Sequence, residues 1–171
     1  MSDPKKFFGK YRGTVINNVD PEQRGRIQAM VPDVSGYAIS SWALPALPIG
    51  GLAMGLFSPP MMGSGVWIEF EQGDMDYPIW SGIYWGSAAE VPALSHLLVP
   101  GVPGIAMQTV LQNGLIISDV PGPTGGIMLM SATGAMILIN EVGITISNGQ
   151  GAMIQMTGPT VVINEGALTI M

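Results

Sequence analysis

From Gly126 onward six of the seven glycines, at positions 126, 134, 143, 151, 158 and 166, recur at spacings of 8, 9, 8, 7 and 8, the seventh being Gly149. Between them lie the segments IMLM, MILIN, ITIS, MIQM, TVVIN and ALTIM. Each carries two apolar residues two positions apart: Ile127/Leu129, Ile137/Ile139, Ile144/Ile146, Ile154/Met156, Val161/Ile163 and Leu168/Ile170. A period of two places both members of a pair on one face of a short strand, and a recurrent glycine lets the chain turn sharply before the next. Six near-identical units define a repeat architecture. A strand of four or five residues followed at once by a turn leaves too little chain to enclose a core of its own. Single-chain β-helices with about three strands per coil follow a six-residue repeat, which the near-eight period does not match. Three chains wound about one axis meet the constraint. Each supplies one strand per layer, ladder hydrogen bonds run between chains, and the twelve paired residues fill the axis. Six layers at about 4.7 Å give a prism roughly 28 Å long.

The rest of the chain agrees with an all-β reading. Its 24 glycines and 14 prolines among 171 residues leave no stretch with helical period and a credible cap. Only 11% of the residues are charged, against roughly 25% in ordinary globular chains. All six basic residues, Lys5, Lys6, Lys10, Arg12, Arg24 and Arg26, lie in the first 26 positions, and the remaining 145 carry nine acids and no Lys or Arg. Such a surface is poorly suited to stand alone in solvent and suits a subunit whose faces meet partners. No cysteine is present, which excludes a disulfide framework and a thiolate site. The start, MSDPKKFFGKYRG, lacks the apolar core of a signal peptide, so synthesis in the cytoplasm is expected. Residues 34–68 are uncharged, yet Pro45, Pro48, Pro59 and Pro60 break any spanning helix.

Residues 11–86 read as a small barrel of four or five strands, OB-like in pattern, preceded by an arm at 1–10. YRGTVI and RIQAMV alternate around the turn-rich NNVDPEQRG, and VWIEFE sets Val66, Ile68 and Phe70 opposite Trp67, Glu69 and Glu71. Residues 87–104 read as a linker with at most one helical turn, and MQTVLQNGLIIS opens the region 105–171 with an Asn-Gly hairpin. Catalytic constellations are weak. Asp74-x-Asp76 without the rest of a calcium loop reads as a solvated turn. Glu69 and Glu71 lack a facing polar strand, and His96 has no acid placed to orient it. The 13 methionines suit adaptable packing at subunit contacts. Trp42, Trp67, Trp80 and Trp85 could stack bases, but a chain with no Lys or Arg beyond residue 26 offers no cationic groove for nucleic acid.

Together, YRGTVINNVDPEQRGRIQAMVPD, SWALPALPIGG and GSGVWIEFEQGDMDYPIWSGIYWG resemble the OB-fold domain of the phage baseplate assembly protein V and VgrG-type central spike family. Asp20, Pro21, Glu22, Gly25 and Arg26, the Trp42-Ala43 pair, and Val66, Phe70, Gly73, Asp74, Pro78 and Gly82 carry the resemblance, and SDVPGPTGGI with the octad strands resembles that family's triple-stranded β-helix. The resemblance implies an N-terminal OB-fold barrel followed by a C-terminal intertwined trimeric β-helix. It implies a homotrimeric, non-enzymatic spike without cofactor, set in a virion tail baseplate or a phage-like injection particle and touching the target outer membrane transiently. A VgrG-type chain has a hub-like part before the OB fold, whereas this one starts within ten residues of it, so the hub is expected to be a separate protein. Lys5, Lys6, Phe7, Phe8 and Lys10 are candidates to reach that hub. Some spikes of the family end in an iron-binding His-x-His apex; the only histidine here is His96, so no metal is expected. The sequence closes on Ala167, Leu168, Thr169, Ile170 and Met171 without a polar tail, and a solenoid end needs a cover. In related systems that cover is a small PAAR-like tip protein. Two other classes explain half of the chain each: an OB-fold nucleic-acid-binding protein, opposed by the charge, and a β-helical acyltransferase, opposed by the period.

Overall fold

The computed structural model describes residues 5–170. The chain divides into two units, one ending at Glu90 and the other beginning at Val91. In the first, β1 (Tyr11–Asn17), β2 (Gln28–Met30), β6 (Gly65–Phe70), β7 (Pro78–Tyr84) and β3 (Leu44–Pro45) form one sheet in the order β2-β1-β6-β7-β3. All pairs are antiparallel except β3 on β7. The segment entering β3 closes the ring: Ala43 N donates to the Ile27 carbonyl at 2.7 Å and Ile27 N to the Ala43 carbonyl at 3.2 Å. A sheet whose first and last members meet in this way is a small barrel without a long free edge. The alternation in VWIEFE sends Val66, Ile68 and Phe70 inward, where they meet Val15, Ile27, Ala29, Val31, Ala43 and Trp80. A separate two-stranded hairpin, β4 (Gly50–Gly51) and β5 (Met54–Gly55), and a single turn of helix, α1 (Pro32–Ser35), complete the unit.

The turn between β1 and β2 is built around one carboxylate. Asp20 accepts hydrogen bonds from the backbone N–H of Glu22 at 3.0 Å, Arg24 at 2.8 Å and Arg26 at 3.3 Å, and from Arg26 Nε at 3.1 Å and Nη2 at 2.6 Å. The Arg26 guanidinium also lies 5.5 Å from the Trp42 ring, and Trp80 Nε1 donates to the Gly25 carbonyl at 3.0 Å. The bond from Arg26, aided by the three backbone donors and opposed in part by burial, holds the Asp20 carboxyl well below the usual carboxylate range. Because the folded value is depressed, the clasp contributes its full stability above the unfolded value of about 4, and loses it as pH falls toward the folded value. Asp20→Asn is therefore expected to lower the melting temperature at neutral pH and to flatten its decline between pH 4 and pH 2, as measured by thermal melts across that range.

The second unit contains β8 (Gly104–Gln108), β9 (Gly114–Ser118), β10 (Gly126–Met130), β11 (Met136–Ile139), β12 (Ile144–Ser147), β13 (Met153–Thr157), β14 (Thr160–Ile163) and β15 (Leu168–Ile170). They form one eight-stranded antiparallel meander in which every strand pairs with its neighbours in sequence. The all-β class, barrel first and repeat-built sheet second, is what the structure has. The hydrogen bonding differs from the layer-by-layer expectation, because the ladder is made within a single chain rather than between three. The cause is turn length: connections this short hold consecutive strands side by side and antiparallel, and cannot carry the chain to another wall. Strands β8 and β9 belong to the same sheet, so the stack has eight members and spans about 33 Å from first to last.

The turns explain the glycine spacing. Along one edge the same turn occurs three times, closed by backbone bonds Thr109 N to Asn113 O at 2.9 Å, Ser131 N to Ala135 O at 2.8 Å and Asn148 N to Ala152 O at 3.1 Å. In each the first residue's side chain accepts the fifth residue's N–H, from Thr109 Oγ1, Ser131 Oγ and Asn148 Oδ1. Successive repeat glycines thus mark turns on alternating edges of the sheet. Gly143, at φ +152°, is the tightest case, since an added Cβ would collide with the Met156 carbonyl of the adjoining strand. Gly143→Ala is expected to destabilise the second unit by on the order of 1–3 kcal/mol, read as faster amide exchange in β12 and β13.

Candidate trimerisation face

Residues directly opposite each other in an antiparallel pair share a face. Following the register across the meander gives two ladders. One passes through Ile105, Ile117, Ile127, Ile139, Ile144, Met156, Val161 and Ile170. The other passes through Met107, Leu115, Leu129, Ile137, Ile146, Ile154, Ile163 and Leu168. Both ladders occupy one face, and neither contains a polar residue. In the single chain this face is open: Ile105 is 55% exposed, Leu129 49%, Ile127 42% and Ile154 37%. The twelve residues singled out by their glycine-framed pairs all lie on it. Sequence reasoning missed Ile105, Met107, Leu115 and Ile117, although the period-two alternation of GIAMQ and GLIIS was their signal.

The opposite face is covered at its β8–β9 end by the chain itself. A 3₁₀ turn, Ala93–Leu97, lies over it, with Leu94 and Ile116 both buried and Leu94 N donating to Gln108 Oε1 at 2.8 Å. Gly114 leaves room for Leu94, because a Cβ there would overlap its Cδ1. Toward β15 the same face turns polar through Thr145, Ser147, Gln155, Thr157 and Thr160. One face is therefore capped at β8–β9, carries Met128, Met130, Met136 and Leu138 across β10 and β11, and is hydroxyl-rich beyond them with Met153 and Val162 interspersed, while the other is apolar throughout. The hydrophobic core cluster of the described residues lies wholly in the first unit, from Phe7 to Trp80. A sheet of this size with one uncovered apolar face has an interface as its physical complement.

The remaining candidates separate in space and role. Phe7 is buried in the barrel core, 6.2 Å from Tyr11 and 6.1 Å from Phe70 by ring centroids, and its N–H donates to the Gly73 carbonyl at 2.9 Å. Lys5 Nζ sits 4.9 Å over the Phe7 ring, and Lys10 Nζ pairs with Glu69 Oε1 at 2.9 Å. The segment read as an arm is thus fastened to the barrel, leaving Phe8 and Lys6 exposed. At the far end Ala167 and Leu168 are exposed, Thr169 and Ile170 lie in β15, and Met171 falls outside the described residues. Asp74 is a turn residue, its Oδ1 accepting from Asp76 N at 3.1 Å. Trp67 and Tyr84 flank the Arg12 guanidinium at 5.7 Å and 5.3 Å. Among the described residues no cluster of three or more His, Asp or Glu is placed to hold a metal.

A closed five-stranded barrel followed by a meander with one uncovered apolar face defines a β-structural protein completed by association. Residues 11–85 match the model of the type VI secretion system/phage-baseplate injector OB domain, and residues 104–169 match that of the phage baseplate V C-terminal trimerisation domain. The chain belongs to the phage baseplate V family. No curated protein matches it. The trimerisation domain supports a homotrimer, and both matched domains are structural, giving the chain a structural role in a phage tail or injection-system baseplate.

Proposed function

We propose that three copies form the central spike of the baseplate, a needle that joins a hub to a tip protein and pierces the target envelope. Each sheet becomes one wall of a three-sided shaft, with both apolar ladders facing the axis and the hydroxyl-rich face in water. The observation that carries this reading is the pair of unbroken apolar ladders across eight strands that contain no charged residue. The ladders run along the direction of the backbone hydrogen bonds, so axial load falls on a continuous stack of intrachain bonds. A separate hub protein sits at the OB end, with Phe8, Lys6 and Lys10 as its contacts. A PAAR-like tip protein covers β15 through Ala167, Leu168, Thr169, Ile170 and Met171. The spike meets the outer membrane only at insertion.

Light scattering tests the assembly: the expected mass is three times the chain's 17.9 kDa, and a stable folded monomer at working concentration overturns it. Co-expression with a neighbouring PAAR-like protein tests the tip. Deleting residues 167–171 is expected to abolish its co-purification while leaving the trimer, and retention of the tip protein would reject that contact.

A further inference from the structure

The first unit has an exposed apolar feature that neither the barrel nor the shaft uses. Between β3 and β6 the chain runs through LPIGGLAMGLFSPPMMG, part of the uncharged stretch 34–68. The β4–β5 hairpin lifts its tip away from the barrel sheet, with Leu52 uncovered at 101% exposure, and Ile49, Met54 and Phe57 are also exposed. Beside the stems of the same hairpin lies an open groove of about 520 Å³, walled by Leu47, Pro48, Leu56, Trp80 and Ile83. Pro48 and Leu56, which flank the hairpin, form part of the groove wall, and the fully exposed Leu52 is not among its lining residues. One unit therefore presents an uncharged apolar knob and a mainly apolar groove with no charged lining residue, the nearest ion being Lys10, whose Nζ donates to Ser81 Oγ on the groove wall at 2.7 Å.

A threefold cyclic assembly needs this kind of pairing. Its interfaces are heterologous, each joining two different patches of one chain, and closure demands that both patches be present in equal number. The knob, which lies wholly within the uncharged stretch 34–68, offers no complement to a charged partner. Resting on the trimer proposed above, we infer that each OB unit inserts its β4–β5 tip into the groove of the next copy, closing a ring of three knob-and-groove contacts.

The absence of native cysteine makes the test direct. Full-length chain carrying Leu52→Cys with Ile83→Cys is treated with a short bis-maleimide and run on a denaturing gel. The expected product is a covalent trimer, and neither single substitution should link. Leu47→Cys and Ser58→Cys serve as second and third groove positions, each paired with Leu52→Cys. Absence of links at all three positions, in a sample whose scattering mass is still that of a trimer, overturns the ring and leaves the shaft intact. Dimers from Leu52→Cys alone would place the tips against one another and also overturn it. Protection of position 52 only on adding the hub would assign the knob to that partner and reject the ring.

Discussion

An Ile146→Asp chain is expected to elute as a monomer of 17.9 kDa and to bind a hydrophobic dye that the native assembly excludes. Position 146 lies in the second ladder, opposite Ile137 and Ile154. In the shaft three carboxylates would converge on a water-poor axis, each without a counter-ion. Desolvating a carboxylate costs several kcal/mol even after relaxation, so three together cost on the order of 10 kcal/mol before their mutual repulsion. That is comparable with the whole stability of a typical domain, about 5–15 kcal/mol. Protonation could relieve it, so partial recovery of the trimer near pH 4 is part of the expected result. The companion Thr145→Asp puts the same charge on the opposite face of the same strand, where a change within about 0.5 kcal/mol and an intact trimer are expected. A trimer that tolerates Ile146→Asp but not Thr145→Asp would mean that the hydroxyl-rich face, not the ladder face, lines the axis.

The contrast between these two adjacent positions also shows what the sequence could reveal. The parity of each strand was legible, because apolar pairs two apart must share a face whatever the strand pairs with. The register was not written in any single segment, yet it followed from turns short enough to allow only one pairing. What the repeat could not reveal was which chain supplies the neighbouring strand. A glycine-framed strand of four residues suits an intrachain meander as well as a braid, and the deciding quantity is the turn. At Thr109, Ser131 and Asn148 a side-chain oxygen closes a compact turn onto the fifth residue, returning the chain alongside itself. In the barrel, Asp20, Gly25 and Arg26 were legible as a signature. Their role as a clasp that fixes a turn, with Trp42 and Trp80 as its supports, depends on contacts up to 55 positions apart. Phe7 was misleading for a related reason. A Lys-Lys-Phe-Phe run has no period, so nothing local separates a buried phenylalanine from its exposed neighbour.

Those two neighbours should behave very differently when truncated. Phe7→Ala is expected to destabilise the barrel by about 3–4 kcal/mol, within the range of about 3–5 kcal/mol for removing a buried phenylalanine side chain. For a unit of this size that lowers its melting temperature by roughly 15–20 °C. Phe7 closes the end of the core against Tyr11 and Phe70, and its backbone bond to Gly73 fixes the incoming chain beside the β6–β7 turn. Phe8 is 70% exposed and borders the same glycine from outside. Phe8→Ala should leave stability within about 0.5 kcal/mol and act, if at all, on hub recovery. All four tryptophans, Trp42, Trp67, Trp80 and Trp85, lie in the first unit, so the intrinsic fluorescence melt follows the barrel separately from the sheet. A Phe7→Ala protein melting with the native chain would show that the arm is not part of the core. A Phe8→Ala protein melting far below it would make the exposed ring structural and remove it from the hub contact.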